Sequence, residues 1–271
     1  PAIPAELLAG IPDVNDVIAG GGGIRRISIK GGVFREVIGG KEVNVSDARA
    51  MEIVLVNAAP IYRVFHGTKY VEGAKDVMPS CWSADGITPS PLSVSPQASR
   101  CNEQCPQNIA GSGDNGTRAC RYRQKLAVAI PGDLGAVYAL DLPPTSIFGS
   151  ADGNKMPLQA YGRYLKSHNT HGISIVTEMR FDTDSSTPKI TFKPVRVLEA
   201  HEHETVLIQG SSEAAAKAIT MTVAEVDGVK ALADKTEEFE TVKKDAAVEV
   251  TPLQAEVVAD PEPVKRSTKK A

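Results

Sequence analysis

Residues 24–40 read IRRISIKGGVFREVIGG. Two runs rich in β-branched residues, 24–30 and 33–38, are each followed by a glycine pair, Gly31-Gly32 and Gly39-Gly40. Glycine reaches the positive-φ backbone that two-residue hairpin turns require, so the stretch reads as antiparallel β. The same texture extends outward. MEIVLV at 51–56 is a central-strand candidate, and IYRVF at 61–65 follows it. KLAVAI at 125–130 and AVYALDL at 136–142 flank a turn at Pro131-Gly132-Asp133, and Pro143-Pro144 ends the second run. ISIVTEMRF at 173–181 and KITFKPVRV at 189–197 form a long hairpin, in which Pro194 demotes the second run to an edge strand. Helical periodicity occurs at 158–168, with Leu158, Tyr161 and Leu165 on one face and Pro157 at the start. A second helix is expected at 211–221, capped by Ser211 or Ser212. The class expected is mainly β (α+β), with one or two helices.

All four cysteines of the 271 residues, Cys81, Cys101, Cys105 and Cys120, fall in one interruption of this sheet, at about 78–122. Between them the sequence is loop-forming almost throughout, and such a segment cannot bury enough apolar surface to hold itself. Four thiolates around one tetrahedral Zn²⁺ would staple it and supply folding energy directly. Two disulfides, with three possible connectivities, are the rival reading. Zinc is preferred because every cysteine lies in the one loop and the rest of the chain needs no staple.

The formal net charge of -3 hides an asymmetry. Residues 1–200 carry 21 basic and 19 acidic residues, and residues 201–271 carry 9 and 14. A weakly basic body therefore precedes an acidic end, and any nucleic-acid contact must use a local patch. The division expected is a flexible N-terminal arm at 1–23, a β-rich core at 24–200, a helical segment at 201–223 and a disordered acidic tail at 224–271. No signal peptide or apolar run of membrane length is visible.

Catalytic signatures do not stand out. Gly20 to Gly23 lacks the order of a phosphate loop. The run His201-Glu202-His203-Glu204 is not H-E-x-x-H and reads as a solvated helix face. Ser83-Ala84-Asp85-Gly86 reads as a tight turn. Binding chemistry is better represented. Single-stranded nucleic acid is held by positive charge together with aromatic faces. Arg118, Arg121, Arg123 and Lys125 supply charge beside the last cysteine, with Tyr122 and Trp82, the only tryptophan, as aromatics. On a strand, Arg121, Arg123 and Lys125 share one face and Tyr122 the other. Trp82 serves equally to stack a base or to pack the loop. Arg25, Arg26, Tyr62, Arg63 and Tyr70 are further candidates.

A β-rich body interrupted by the loop of Cys81, Cys101, Cys105 and Cys120 and followed by an acidic tail resembles phage single-stranded DNA-binding proteins of the OB-fold type, some of which carry a zinc module. The resemblance is one of architecture across roughly residues 24–200. It implies an OB-like antiparallel barrel or sheet with an inserted zinc loop, and a non-catalytic protein of phage replication or recombination, acting in the host cytoplasm. It also implies zinc ligands at the four cysteines, self-association through the arm and replication partners recruited by the tail. The alternative is a structural or assembly protein whose zinc loop only stabilises a β domain.

Overall fold

The computed structural model describes residues 25–67, 78–185 and 187–221, all within the unit Pro1–Gly228. The expected arm at 1–23, Tyr70 and the expected tail beyond 224 lie outside these residues.

Among the described residues ten strands occur: β1 Arg26–Ser28, β2 Phe34–Ile38, β3 Lys41–Ser46, β4 Ala50–Ala58, β5 Tyr62–Phe65, β6 Cys81–Ser83, β7 Arg121–Ile130, β8 Asp133–Leu142, β9 Ile175–Phe181 and β10 Ile190–Val197. Their order is β10-β9-β4-β7-β8-β1-β2-β3, with β5 paired to β7 and β6 to β5. Every pairing is antiparallel except β1 with β8. Pro194 lies in β10, at one end of the path, and the register shifts between it and Arg196. This is where a residue without an N–H is tolerated.

The sheet curls. Phe34 of β2 and Phe181 of β9 stand five strand spacings apart along the path, roughly 24 Å if the sheet were flat. Their ring centroids are 4.6 Å apart. The result is an open half-barrel, in which no pairing joins β3 to β10 among the described residues.

Strand β7 explains why both faces are covered. Leu126 and Val128 point to one side and Ala127 and Ala129 to the other, and all four are buried. The first pair joins Ile53, Leu140, Tyr161 and Phe192 in the larger core. The second joins Val54, Val56, Val176 and Val206 in the smaller one. Four helices are present among the described residues, more than the one or two expected: α1 Pro144–Ile147, α2 Leu158–Ser167, α3 Ala200–Gly210 and α4 Glu213–Ile219. The short α1 follows the Pro143-Pro144 strand stop, and α3 and α4 divide the helical segment expected at 201–223. From α2, Tyr161 enters the larger core fully buried, its hydroxyl 2.7 Å from Thr177 Oγ1. Leu165 is buried beside it and Leu158 partly so. The small Ala215 and Ala218 bring α4 close over Ala127 and Ala129. Ser212 caps α4 by accepting from the Ala215 N–H at 3.1 Å.

Helix α3 starts at a capping box. Glu199 and Glu202 exchange side-chain and backbone hydrogen bonds, and Arg196 grips Glu202 through two N–H groups at 2.6 and 2.7 Å. The Arg196 fork, followed by the Glu199 N–H, holds the Glu202 carboxyl down to about 2 from an ordinary 4.5. A depressed folded-state value means that the stabilisation is present above the unfolded value and is lost as pH falls toward about 2. Glu202→Gln should therefore flatten the dependence of the denaturation midpoint on pH across that acid window and leave the neutral region parallel to the parent.

Candidate metal centre and basic rim

The four cysteines are brought together by strand register. β5 pairs with β6 on one side, setting Phe65 opposite Cys81, and with β7 on the other, setting Arg63 opposite Tyr122. Because strand side chains alternate, Arg63, Phe65, Cys81, Tyr122 and Cys120 fall on one face of this small sheet. Tyr62, Val64, Trp82, Arg121 and Arg123 fall on the other. The intervening loop folds over the first face by backbone bonds: Cys101 N–H to Ile87 O (2.8 Å), Cys120 N–H to Gln107 O (2.8 Å) and Asn108 N–H to Cys105 O (2.9 Å).

The loop has its own anchors. Asp85 Oδ1 accepts from the backbone of Ile87 and Thr88 and from Ser83 Oγ, each at 2.8 Å. The Thr88 and Ile87 N–H groups bring its carboxyl down to about 2. Gly86 completes the turn at φ +69, where a Cβ would meet Ile61 O at 2.5 Å, so no other residue fits. Ser83 ends β6, and residues 84–86 bend beyond it, held by side-chain bonds to Asp85. Asn108 is the second anchor, 5% exposed. Its amide donates to Asn102 O (2.9 Å), its Oδ1 accepts from the Tyr122 hydroxyl (2.8 Å), and its carbonyl accepts from Arg118 Nε (2.7 Å). Sequence reasoning passed over Asn108, since an amide after Cys105-Pro106-Gln107 carries no signal of its own.

Cys81, Cys105 and Cys120 are buried, Cys101 is half-buried, and all four are free thiols. All four line one small cavity of about 10 Å³, together with Arg63, Phe65, Pro89, Gln97 and Arg100. Burial pushes the Cys120 thiol up to about 12, with Arg63 opposing and the other three cysteines adding to the rise. Burial raises Cys101 as well. Among the described residues no group of three or more His, Cys, Asp or Glu side chains is placed to hold a metal ion. The donor chemistry nevertheless suits a soft ion: four sulfurs, no carboxylate on the cavity wall among the described residues, and a guanidinium beside them whose Nε and Nη1 are buried without a hydrogen-bond partner.

The basic stripe divides. Arg123 is spent inside: its Nε lies 2.9 Å from Asp141 Oδ2, which also accepts from the Tyr62 hydroxyl at 2.7 Å. Burial, with Asp141 reinforcing it, raises the Tyr62 hydroxyl far above its ordinary value. Lys125 Nζ donates to Thr220 O at 2.9 Å. Arg25 stands 3.6 Å from Asp133 and over the Tyr138 ring. Trp82 is 5% exposed and packs with Tyr62 and Val64, so the packing role is the one this geometry expresses. Tyr122 is half-buried between the Arg63 guanidinium, 4.5 Å from its ring centroid, and the edge-on ring of Phe148. Arg118, Arg121 and Arg26 keep exposed side chains. Of these, Arg118 and Arg121 flank Cys120, whereas Arg26 lies on β1, beyond β8.

Removing the Asn108 amide strands the hydroxyl of the half-buried Tyr122 and leaves Asn102 O with only the Cys105 N–H at 3.3 Å. Asn108→Ala should cost about 1–3 kcal/mol, read as a lower thermal midpoint, and should open residues 84–119 to limited proteolysis. Asn108→Asp, which keeps the acceptor for Tyr122, should cost less.

Set against protein-family models, curated proteins and solved structures, the chain has no significant match. The reading of this site therefore rests on its own chemistry.

Proposed function

We propose that the chain is a non-catalytic single-stranded DNA-binding protein of OB-like architecture whose four-cysteine loop is a structural zinc site. The observation that supports it most is the pair of exposed arginines, Arg118 and Arg121, on either side of the buried Cys120. Whatever fixes Cys120 fixes both cations, so their charges meet a phosphate backbone from a rigid base. Zinc bound by Cys81, Cys101, Cys105 and Cys120 would supply folding energy to the loop. Four thiolates leave no open coordination position, which fits binding and not hydrolysis. Reduced cysteines held for a metal suit a cytoplasmic setting. Self-association through 1–23 and recruitment of replication partners through the tail belong to the same reading.

One specific observation favours the second reading, a structural or assembly domain. Arg123 and Arg25 sit in ion pairs with Asp141 and Asp133, Lys125 and Arg118 each donate to a backbone carbonyl, and Tyr62 and Trp82 are buried. The basic surface is thus smaller than the residue count suggests.

Anisotropy of a labelled oligothymidylate, titrated at several salt concentrations, separates the two. Under the DNA-binding reading affinity falls with salt, and replacing both Arg118 and Arg121 with Ala shallows the logarithmic slope by about one to one and a half units. Arg123→Ala should instead lower stability, because it strips Asp141 of its cation. No binding by the parent at low salt would leave the structural reading standing.

Elemental analysis of protein purified without added metal should give about one zinc per chain. Two disulfides by mass spectrometry, with no metal, would remove the zinc site from the proposal.

A further inference from the structure

Arg63 is the anomaly of the candidate metal centre. Its side chain reaches under the cysteine loop, and its Nε and Nη1 are buried without a hydrogen-bond partner. The Tyr122 ring, 4.5 Å away, takes one face of the guanidinium and leaves its edge unused. Among the described residues no carboxylate lines the cavity it enters; the walls it shares include Cys81, Cys101, Cys105 and Cys120. Register explains the placement, since Arg63 sits on the central strand of three, between the strand that starts with Cys81 and the one that follows Cys120. Buried N–H groups of a cation are strongly disfavoured unless something accepts from them.

We propose that Arg63 balances the charge of a tetrathiolate metal site, its Nε–H and Nη1–H donating to cysteine sulfurs of the cavity they share once these carry negative charge. The proposal rests on the zinc reading above and adds a residue to it. Four thiolates and one Zn²⁺ carry a net charge of −2, which a buried site must offset; one guanidinium halves it. The two N–H groups find acceptors in the same event. Arg63 shares one cavity wall with all four sulfur-bearing residues. The residue counted at first as a nucleic-acid contact thus becomes an outer-shell partner of the metal, and its stacking on Tyr122 ties the site to strand β7.

The test is a chelator competition for Zn²⁺ on the full chain, with the zinc content of each protein measured beforehand. Arg63→Met should keep a stoichiometry of one while losing about 10- to 100-fold in affinity, the scale of outer-shell substitutions. Arg63→Lys, which keeps the charge but not the fork, should fall between Met and the parent. A second readout is the sulfur-to-metal charge-transfer band of the Co²⁺-substituted protein, which should shift in both variants because N–H···S bonds tune the sulfurs. If Arg63→Met fails to fold, Arg63→Lys decides. Parental affinity and an unshifted band in Arg63→Lys would overturn the role of Arg63 while leaving the zinc reading intact. A parent chain without metal would overturn both.

Discussion

One strand has to satisfy two environments at once. Over 126–129, β7 is buried on both faces and joins the two cores. Over 121–124 it leaves the core, pairs with β5 and forms the floor of the cysteine loop. The switch is possible because β4 and β5 lie end to end along the same edge of β7. Pro60 interrupts them, while the Ala59 N–H still bonds Lys125 O at 2.9 Å. Without that break the edge would continue as one rigid ladder, and the loop would have no separate base. Everything said of the cysteines, of Arg63 and of the rim arginines follows from where β7 passes from core to loop.

The electrostatics divide the same way. On one face of the small sheet, Asp141, Arg123 and Tyr62 close a polar cluster within the protein. On the other, Arg63 has an aromatic partner and, among the described residues, no anion. The closed cluster is structural: it seals the underside of β5 and β7, although Asp141 Oδ1 is left buried and unpartnered. The second face is asymmetric, with cation and sulfurs placed together but with no net negative charge on the sulfurs while the thiols keep their protons. Under the proposed zinc reading, an ion that displaces those protons would supply that charge.

Local features could be read before any fold was known. The buried face of α2, the Ser212 cap, the Pro194 edge and the Asp85-Gly86 turn each depend on residues within a few positions of one another. What could not be read depends on register between distant segments. The partner of Arg123 is 18 residues away and that of Lys125 is 95 away. A count of basic residues therefore overstated the available charge. Nor did alternation along β7 reveal that Tyr122 would lie beneath Arg63, since that follows from pairing across the whole cysteine loop. The parallel pairing of β1 with β8 was hidden for the same reason. The burial of Trp82 turned on its neighbours Tyr62 and Val64, also brought from another strand.

The end-to-end arrangement of β4 and β5 on β7 also bears on how the chain folds. The strand that completes both cores arrives only after the cysteine loop has been traversed, so the central ladder is a non-local contact and its formation is intrinsically slow. The entropic cost of closing that loop grows only with the logarithm of its length, about 0.6 kcal/mol per doubling. The chain thus loses little closure entropy if the segment between Cys81 and Cys101 changes length, although the Asp85 bonds and the Cys101 N–H to Ile87 O bond fix its present course. It has far less freedom at the three positions before Leu126, where a one-residue slip would turn Tyr122 away from Arg63 and reverse both faces together.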